Sequence, residues 1–183
     1  MDRQPTLEGE RLLLRSLREE DWDGLYAVAA DPLVWELHPG HDRWQEPVFR
    51  AFFADALAQR GALAVIDKQS GAIVGSSRIQ AYQPEDGGSC EIGWTFLARS
   101  HWGGAYNREM KRLMLAHALG EVERVHFIVG EHNHRSRRAM EKIGGRLDRE
   151  WEEVRAMAGG PVRHVRYVID RAGFAAGPLN SAA

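Results

Sequence analysis

The sequence holds a single cysteine, Cys90. That excludes an internal disulfide and any zinc site built from several thiolates. No window approaches the roughly 20 consecutive apolar residues that span a bilayer. The opening residues, MDRQPTLEGERLLL, are charged where a secretory signal would carry an apolar run. The expectation is a soluble, cytoplasmic protein with no membrane partner. Excess positive charge is lacking too: the formal net charge is −2, so no global field draws the chain to nucleic acid. Repeats and low-complexity linkers are absent. What remains is an ordinary globular composition, 44% hydrophobic over 183 residues, enough for one cored domain. Residues 1–174 are expected to form it, with residues 175–183 as a flexible tail.

Periodicity divides the chain. Residues 11–17 (RLLLRSL) read as a strand, and 18–31 as a helix with acids in its first turn, stopped by Asp31 and Pro32. A short helical piece and a loop marked by Pro39 and Gly40 follow. Residues 46–61 form a second helix, with Pro47 in its first turn and Gly61 suited to its exit. The period then changes, with two strands around a turn at 68–71 and a third, CEIGWTFL. A helix from about 105, the strand RVHFIVG, a helix in NHRSRRAMEKIGG and a closing hairpin across MAGGP complete the chain. The order is β-α-α-β-β-β-α-β-α-β-β. Hairpins mixed with crossovers indicate a mixed α/β protein of α+β type, not a doubly wound parallel sheet.

The helix after CEIGWTFL begins on Gly103, Gly104 and Ala105. The first amides of a helix lack internal partners and carry partial positive charge, so a start bared of side chains can receive an anion. Asn107 adds a donor, and Arg99 and Arg108 add charge. The same glycines could equally relieve crowding in a tight strand-to-helix turn. No Lys-Ser/Thr pair follows them, which argues against a nucleoside triphosphate site with magnesium. About 30 residues on, Asn133, Ser136 and Arg137 open another helix after another strand. In a crossover both helices start at one edge of the sheet, and two donor-rich starts side by side suit a ligand carrying several phosphates.

CEIGWTFLARSHWGGAYNREMKRLMLAHAL followed by NHRSRRAMEKIGG resembles the GNAT acetyltransferases, specifically their RimJ/RimL-like branch. Members carry Glu-Ile-Gly-Tyr/Trp on a strand, a glycine-rich pyrophosphate loop, and Asn-x-x-Ser-x-x-x-x-Glu-Lys-x-Gly. LEGERLLLRSLREEDWDGLY is similar to the branch's first strand and helix, so the likeness spans residues 6 to 172. It implies a central mixed, mostly antiparallel twisted sheet of about seven strands flanked by four helices. It also implies acetyl-CoA as co-substrate. Thr95, Phe96 and Leu97 would offer backbone groups to the pantetheine arm. The loop Trp102, Gly103, Gly104, Ala105, Tyr106 and Asn107, with Arg108, would wrap the pyrophosphate. Asn133, Ser136 and Arg137 would touch the cofactor further along. The segment holding Trp35 and His38 would line the acceptor pocket. Two departures matter: Trp102, Ala105 and Asn107 replace the usual loop residues, and Met140 stands where many members place a tyrosine general acid.

Acetyl transfer to an amine needs a neutral amine, a stabilised oxyanion and a departing thiolate. Glu91, on the strand before the glycine turn, is the candidate base, although an edge-strand charge facing solvent would look the same. Backbone amides of 95–97 are candidates for the oxyanion, and Ser136 for a hydrogen bond to the sulfur. A thiolate with a parent pKa near 8.5 needs little acid help, which makes Met140 tolerable. Cys90 has no histidine placed on it and reads as an ordinary strand residue. His38 and His41 make too poor a ligand set for a metal. The expected function is acetyl-CoA-dependent N-acetylation of a small primary amine or a peptide N-terminus. The alternative is a non-catalytic CoA- or acyl-CoA-binding module of the same fold. The closing hairpin could pair two copies as a homodimer.

Overall fold

A computed structural model describes residues 1–180. Its eight strands are β1 (Leu7–Glu8), β2 (Leu12–Ser16), β3 (Ala62–Asp67), β4 (Ile73–Gln83), β5 (Ser89–Leu97), β6 (Arg124–Gly130), β7 (Arg146–Met157) and β8 (Gly160–Asp170). They form one sheet in the order β1-β2-β3-β4-β5-β6-β8-β7. All neighbours are antiparallel except β5 and β6. The helices are α1 (Trp22–Ala29), α2 (Pro32–Trp35), α3 (Glu46–Gln59), α4 (Ala105–Glu121), α5 (His134–Lys142) and α6 (Arg171–Ala175). The expected mixed, mostly antiparallel sheet is present. The additions are short elements, two-residue β1 and one-turn α6, too brief to leave a period in the sequence, while α2 is the short helical piece expected before the Pro39 loop.

Strand alternation sends neighbouring side chains to opposite faces, and each face has its own core. Leu63 and Val65 of β3 join Met110, Met114 and Leu115 of α4. Ala62 and Ala64 join Leu25 of α1, Phe49 and Phe53 of α3, and Trp35 of α2. In α3 the apolar residues Phe49, Phe53 and Ala56 recur at helical spacing and are the buried ones.

Two local expectations are corrected. Arg60, not Gly61, takes the left-handed position that ends α3, at φ 53°. Gly61 is needed for space, because a Cβ there would lie 2.2 Å from the Ile79 carbonyl oxygen of β4. The expected flexible tail is docked as far as Asn180: Leu179 is 4% exposed within the α4-side core, and Asn180 Nδ2 donates to the Phe174 carbonyl at 2.6 Å. An isolated leucine in a Gly/Pro/Ala-rich stretch carries no periodic signal. Residues 181–183 lie outside the described residues.

Candidate active site

The site begins where two strands part. β5 and β6 pair only through Ser89–Arg124, Cys90–Val125 and Glu91–His126. Beyond Glu91, β5 stays with β4 and β6 stays with β8, so the wedge-side edge of β5 has no strand beside it. A bulge accompanies the split. The register against β4 shifts between Ser76 and Arg78, and Trp94 sits at φ 51°, a position that inserts an extra residue and bends the strand. A cavity of about 700 Å³ fills the opening. It runs from the start of α4, past β5 and β6, to the α2–α3 loop and the β7–β8 hairpin.

The glycine turn forms one mouth. Gly103 has φ +85° and Gly104 is extended, and a Cβ on either would meet nothing within 4 Å. Among the described residues, no acceptor takes the amides of residues 103–107. Trp102 Nε1 donates to the Leu97 carbonyl at 2.9 Å, and the Arg135 guanidinium lies 4.1 Å over the indole. That stack joins the starts of α4 and α5. Arg108 lines the cavity and also donates to the Pro178 carbonyl, which fixes the docked tail beside the turn.

The second helix start differs from expectation. Asn133 is the cap, and its Oδ1 accepts from Ser136 N at 3.1 Å. The N–H groups of Asn133, His134 and Arg137 bond to backbone carbonyls. Two open amide cradles are therefore corrected to one, at α4. Asn133 and Ser136 still line the cavity. Arg137 does not; its Nε donates to Tyr167 Oη at 3.1 Å and Nη1 to the Glu131 carbonyl. Arg138, one residue on, takes its place in the lining. Tyr106 likewise turns away, packing on the core edge-on to His101 at 4.5 Å. Thr95, Phe96, Leu97, Trp102, Gly103, Gly104, Ala105, Asn107, Arg108, Glu91, Trp35 and His38 all meet at the cavity wall.

Glu91 is 8% exposed. Burial pushes its carboxyl up to about 7, opposed by Arg155 and reinforced by Glu153. It makes no ion pair or hydrogen bond among the described residues. A carboxyl in that state exchanges a proton near neutrality. Cys90 is the opposite case: burial pushes its thiol up to about 12, so it stays protonated and inert. Met140 is buried in the lining and offers no proton.

Sequence reasoning missed Lys111. Its Nζ donates to Thr95 Oγ1 at 2.8 Å, which in turn lies 2.8 Å from Ser77 Oγ. Burial alone pulls its ammonium down to about 7. The signal was present, since Met114, Leu115 and Ala118, three, four and seven residues on, are all buried. Arg43, Arg135, Arg155 and His164 also reach the cavity. Arg43 comes from the α2–α3 loop, Arg135 from the first turn of α5, and Arg155 and His164 from the β7–β8 hairpin, elements whose meeting no local pattern encodes.

The family model of the acetyltransferase (GNAT) domain matches residues 11–146. The chain belongs to the GNAT acetyltransferases. Among solved GNAT structures it is similar to a GCN5-related N-acetyltransferase from Brucella melitensis, at 19% identity and TM-score 0.82 over 93% of this chain and 80% of that one. It is also similar to spermidine N-acetyltransferase from Vibrio cholerae in complex with CoA and spermine, at 15% identity and TM-score 0.67 over 91% and 99%. Mycobacterium smegmatis RimJ in complex with CoA-disulfide matches at 16% identity and TM-score 0.67 over 92% and 86%. At these identities the likeness concerns fold. No helix among the described residues is long and apolar enough to cross a membrane.

Proposed function

We propose that this GNAT chain moves an acetyl group from acetyl-CoA directly to a primary amine, on a small molecule or a peptide N-terminus. The observation that carries the reading is the unpaired Glu91 carboxyl in one cavity with the open amide turn of α4. The free amides of 103–107 fit a diphosphate, because only backbone and open space stand there. Acetyl-CoA supplies an activated thioester, and the protein supplies position and proton traffic. The free edge of β5 beyond Glu91 offers main-chain groups to an extended arm and amides to a developing oxyanion. Glu91, its carboxyl pushed up to about 7 by burial, takes the ammonium's proton in its ionised form. Lys111 and Ser136 are the donors on the wedge side, and they stand in for the proton that Met140 cannot give. That the CoA-bearing neighbours share the fold supports the choice of donor.

Met140 favours one other reading, a non-catalytic CoA or acyl-CoA sensor. Thiol release from acetyl-CoA against an amine panel separates the two. Turnover with at least one amine supports transfer, whereas tight binding with a persistent blank supports the sensor.

A further inference from the structure

The end of the cavity away from the glycine turn is lined by the α2–α3 loop and the β7–β8 hairpin. These two meet, since a Cβ on Gly159 in the hairpin turn would lie 3.3 Å from His41 Cε1, and the same loop packs on the end of β6, where a Cβ on Gly130 would strike Pro39 at 2.5 Å. The charges facing this end are unbalanced. Among the described residues Glu91 is the only carboxylate in the lining, against Arg43, Arg155 and Arg135, the last of these shared with the glycine-turn mouth through Trp102. Arg155 is answered by Glu153, at 2.9 Å, and Arg135 Nη2 donates to the Val34 carbonyl at 3.2 Å.

Arg43 is not answered. Its guanidinium lies 4.7 Å over Phe52 and 5.6 Å over Trp35. Among the described residues no carboxylate comes within 4 Å of it, and Asp42 and Asp55 act on it only from farther off. Arg78 covers the same Phe52 ring at 4.4 Å but is paired with Asp55 at 2.6 Å. Arg43 Nη1 instead lies 3.4 Å from His38 Nε2. The His38 ring is held neutral by burial, and its Nδ1 accepts from the Gly40 amide at 2.9 Å. A neutral imidazole that accepts at Nδ1 carries its hydrogen on Nε2. Two donors therefore face each other with no acceptor between them. Neither hydrogen has an acceptor among the described residues, and an anionic oxygen in the cavity shared between them would take both.

We propose that the acceptor carries a carboxylate that binds Arg43 and His38 Nε2, so that the amine given to Glu91 belongs to a small amino-carboxylate such as an amino acid. The inference rests on the transfer reading above and narrows its acceptor. It sets this site apart from one built for a polyamine, whose several ammonium groups would meet Arg43, Arg135 and Arg155 as like charges.

The test is calorimetry on the full chain saturated with CoA. N-acetylglycine, N-acetylalanine and N-acetylmethionine are each titrated against their carboxamides, with N-acetylspermidine alongside. At least one carboxylate is expected to bind tenfold or more tightly than its amide, and more tightly than N-acetylspermidine. Arg43→Met should erase that preference and Arg43→Lys should keep part of it, with CoA affinity unchanged in both. A dipeptide whose second residue is glutamate, binding better than any free amino acid derivative, would assign the same carboxylate to a protein N-terminus. Equal or tighter binding of the amides or of N-acetylspermidine overturns the proposal, as does no binding by any probe. The wild-type comparison decides even if the variants fail to fold. Failure of CoA itself to bind would instead sink the transfer reading.

Discussion

The ammonium of Lys111 lies 2.8 Å from the hydroxyl of Thr95, joining α4 to the bulged strand across the floor of the wedge. No carboxylate among the described residues pairs with this fully buried cation. Burial without compensation favours the neutral amine, so the folded value of about 7 lies below the ordinary 10.5. Between those values the unfolded chain binds more protons than the folded one, and stability therefore rises with pH across that window. Lys111→Met should remove this slope and raise stability near pH 6 by about 1–3 kcal/mol. Turnover should fall tenfold or more, because the wedge loses a donor. Urea melts at pH 6 and 9 with a thiol-release assay check both halves; a variant of unchanged activity would remove Lys111 from the chemistry.

Glu91 has the opposite sign. Its folded value is raised from 4.5 to about 7, so stability declines as pH rises from 4.5 toward 7, where the unfolded chain has already released the proton. Catalysis needs the ionised form. kcat/KM should climb about tenfold per pH unit below 7 and level above it. Glu91→Gln should flatten that limb and cut turnover by about 10²–10⁴, leaving acetyl-CoA affinity nearly intact. A wild-type rate in the variant would clear Glu91 of the base role.

Leu179 should matter to stability although only four residues of the sequence follow it. It is 4% exposed in the core cluster of α4 and β6, so Leu179→Ala should cost about 2–4 kcal/mol, read by urea denaturation. A cost below about 0.5 kcal/mol would mean that the segment does not stay docked in solution.

Trp102 ties the glycine turn to both sides of the wedge, through its bond to Leu97 and its stack with Arg135. Trp102→Ala should weaken acetyl-CoA binding severalfold, with little change in kcat once the site is saturated. An unchanged dissociation constant would reduce Trp102 to surface packing.

The course of the sheet was legible in the sequence wherever period and punctuation agreed, as in β3 to β5 and in the Asn133 and Gly144 bounds of α5. Two kinds of feature were not. Space-driven glycines such as Gly61 look like turn glycines, because the carbonyl they accommodate belongs to a distant strand. Side-chain direction at a helix start was also unreadable: Tyr106 and Arg137 lie within motifs that face the cavity, yet each turns to a partner supplied by another element. Asn133 was placed at its cap correctly, but the cap is what occupies the amide that a ligand was expected to use. Arg43 and His38 become a pair only when the α2–α3 loop folds back against Trp35.

The central claim is that the bare start of α4 holds a diphosphate on its free amides. It is tested most directly by melting the wild type and Gly104→Glu with and without acetyl-CoA at 100 times the wild-type Kd. Gly104 is extended and faces open space, so the substitution should leave the ligand-free melting temperature unchanged while placing charge and bulk against the phosphates. Wild type should gain about 2.7 kcal/mol, or roughly 5–10 °C for a chain of this size, and the variant should gain nothing. Equal shifts in both proteins would contradict the claim.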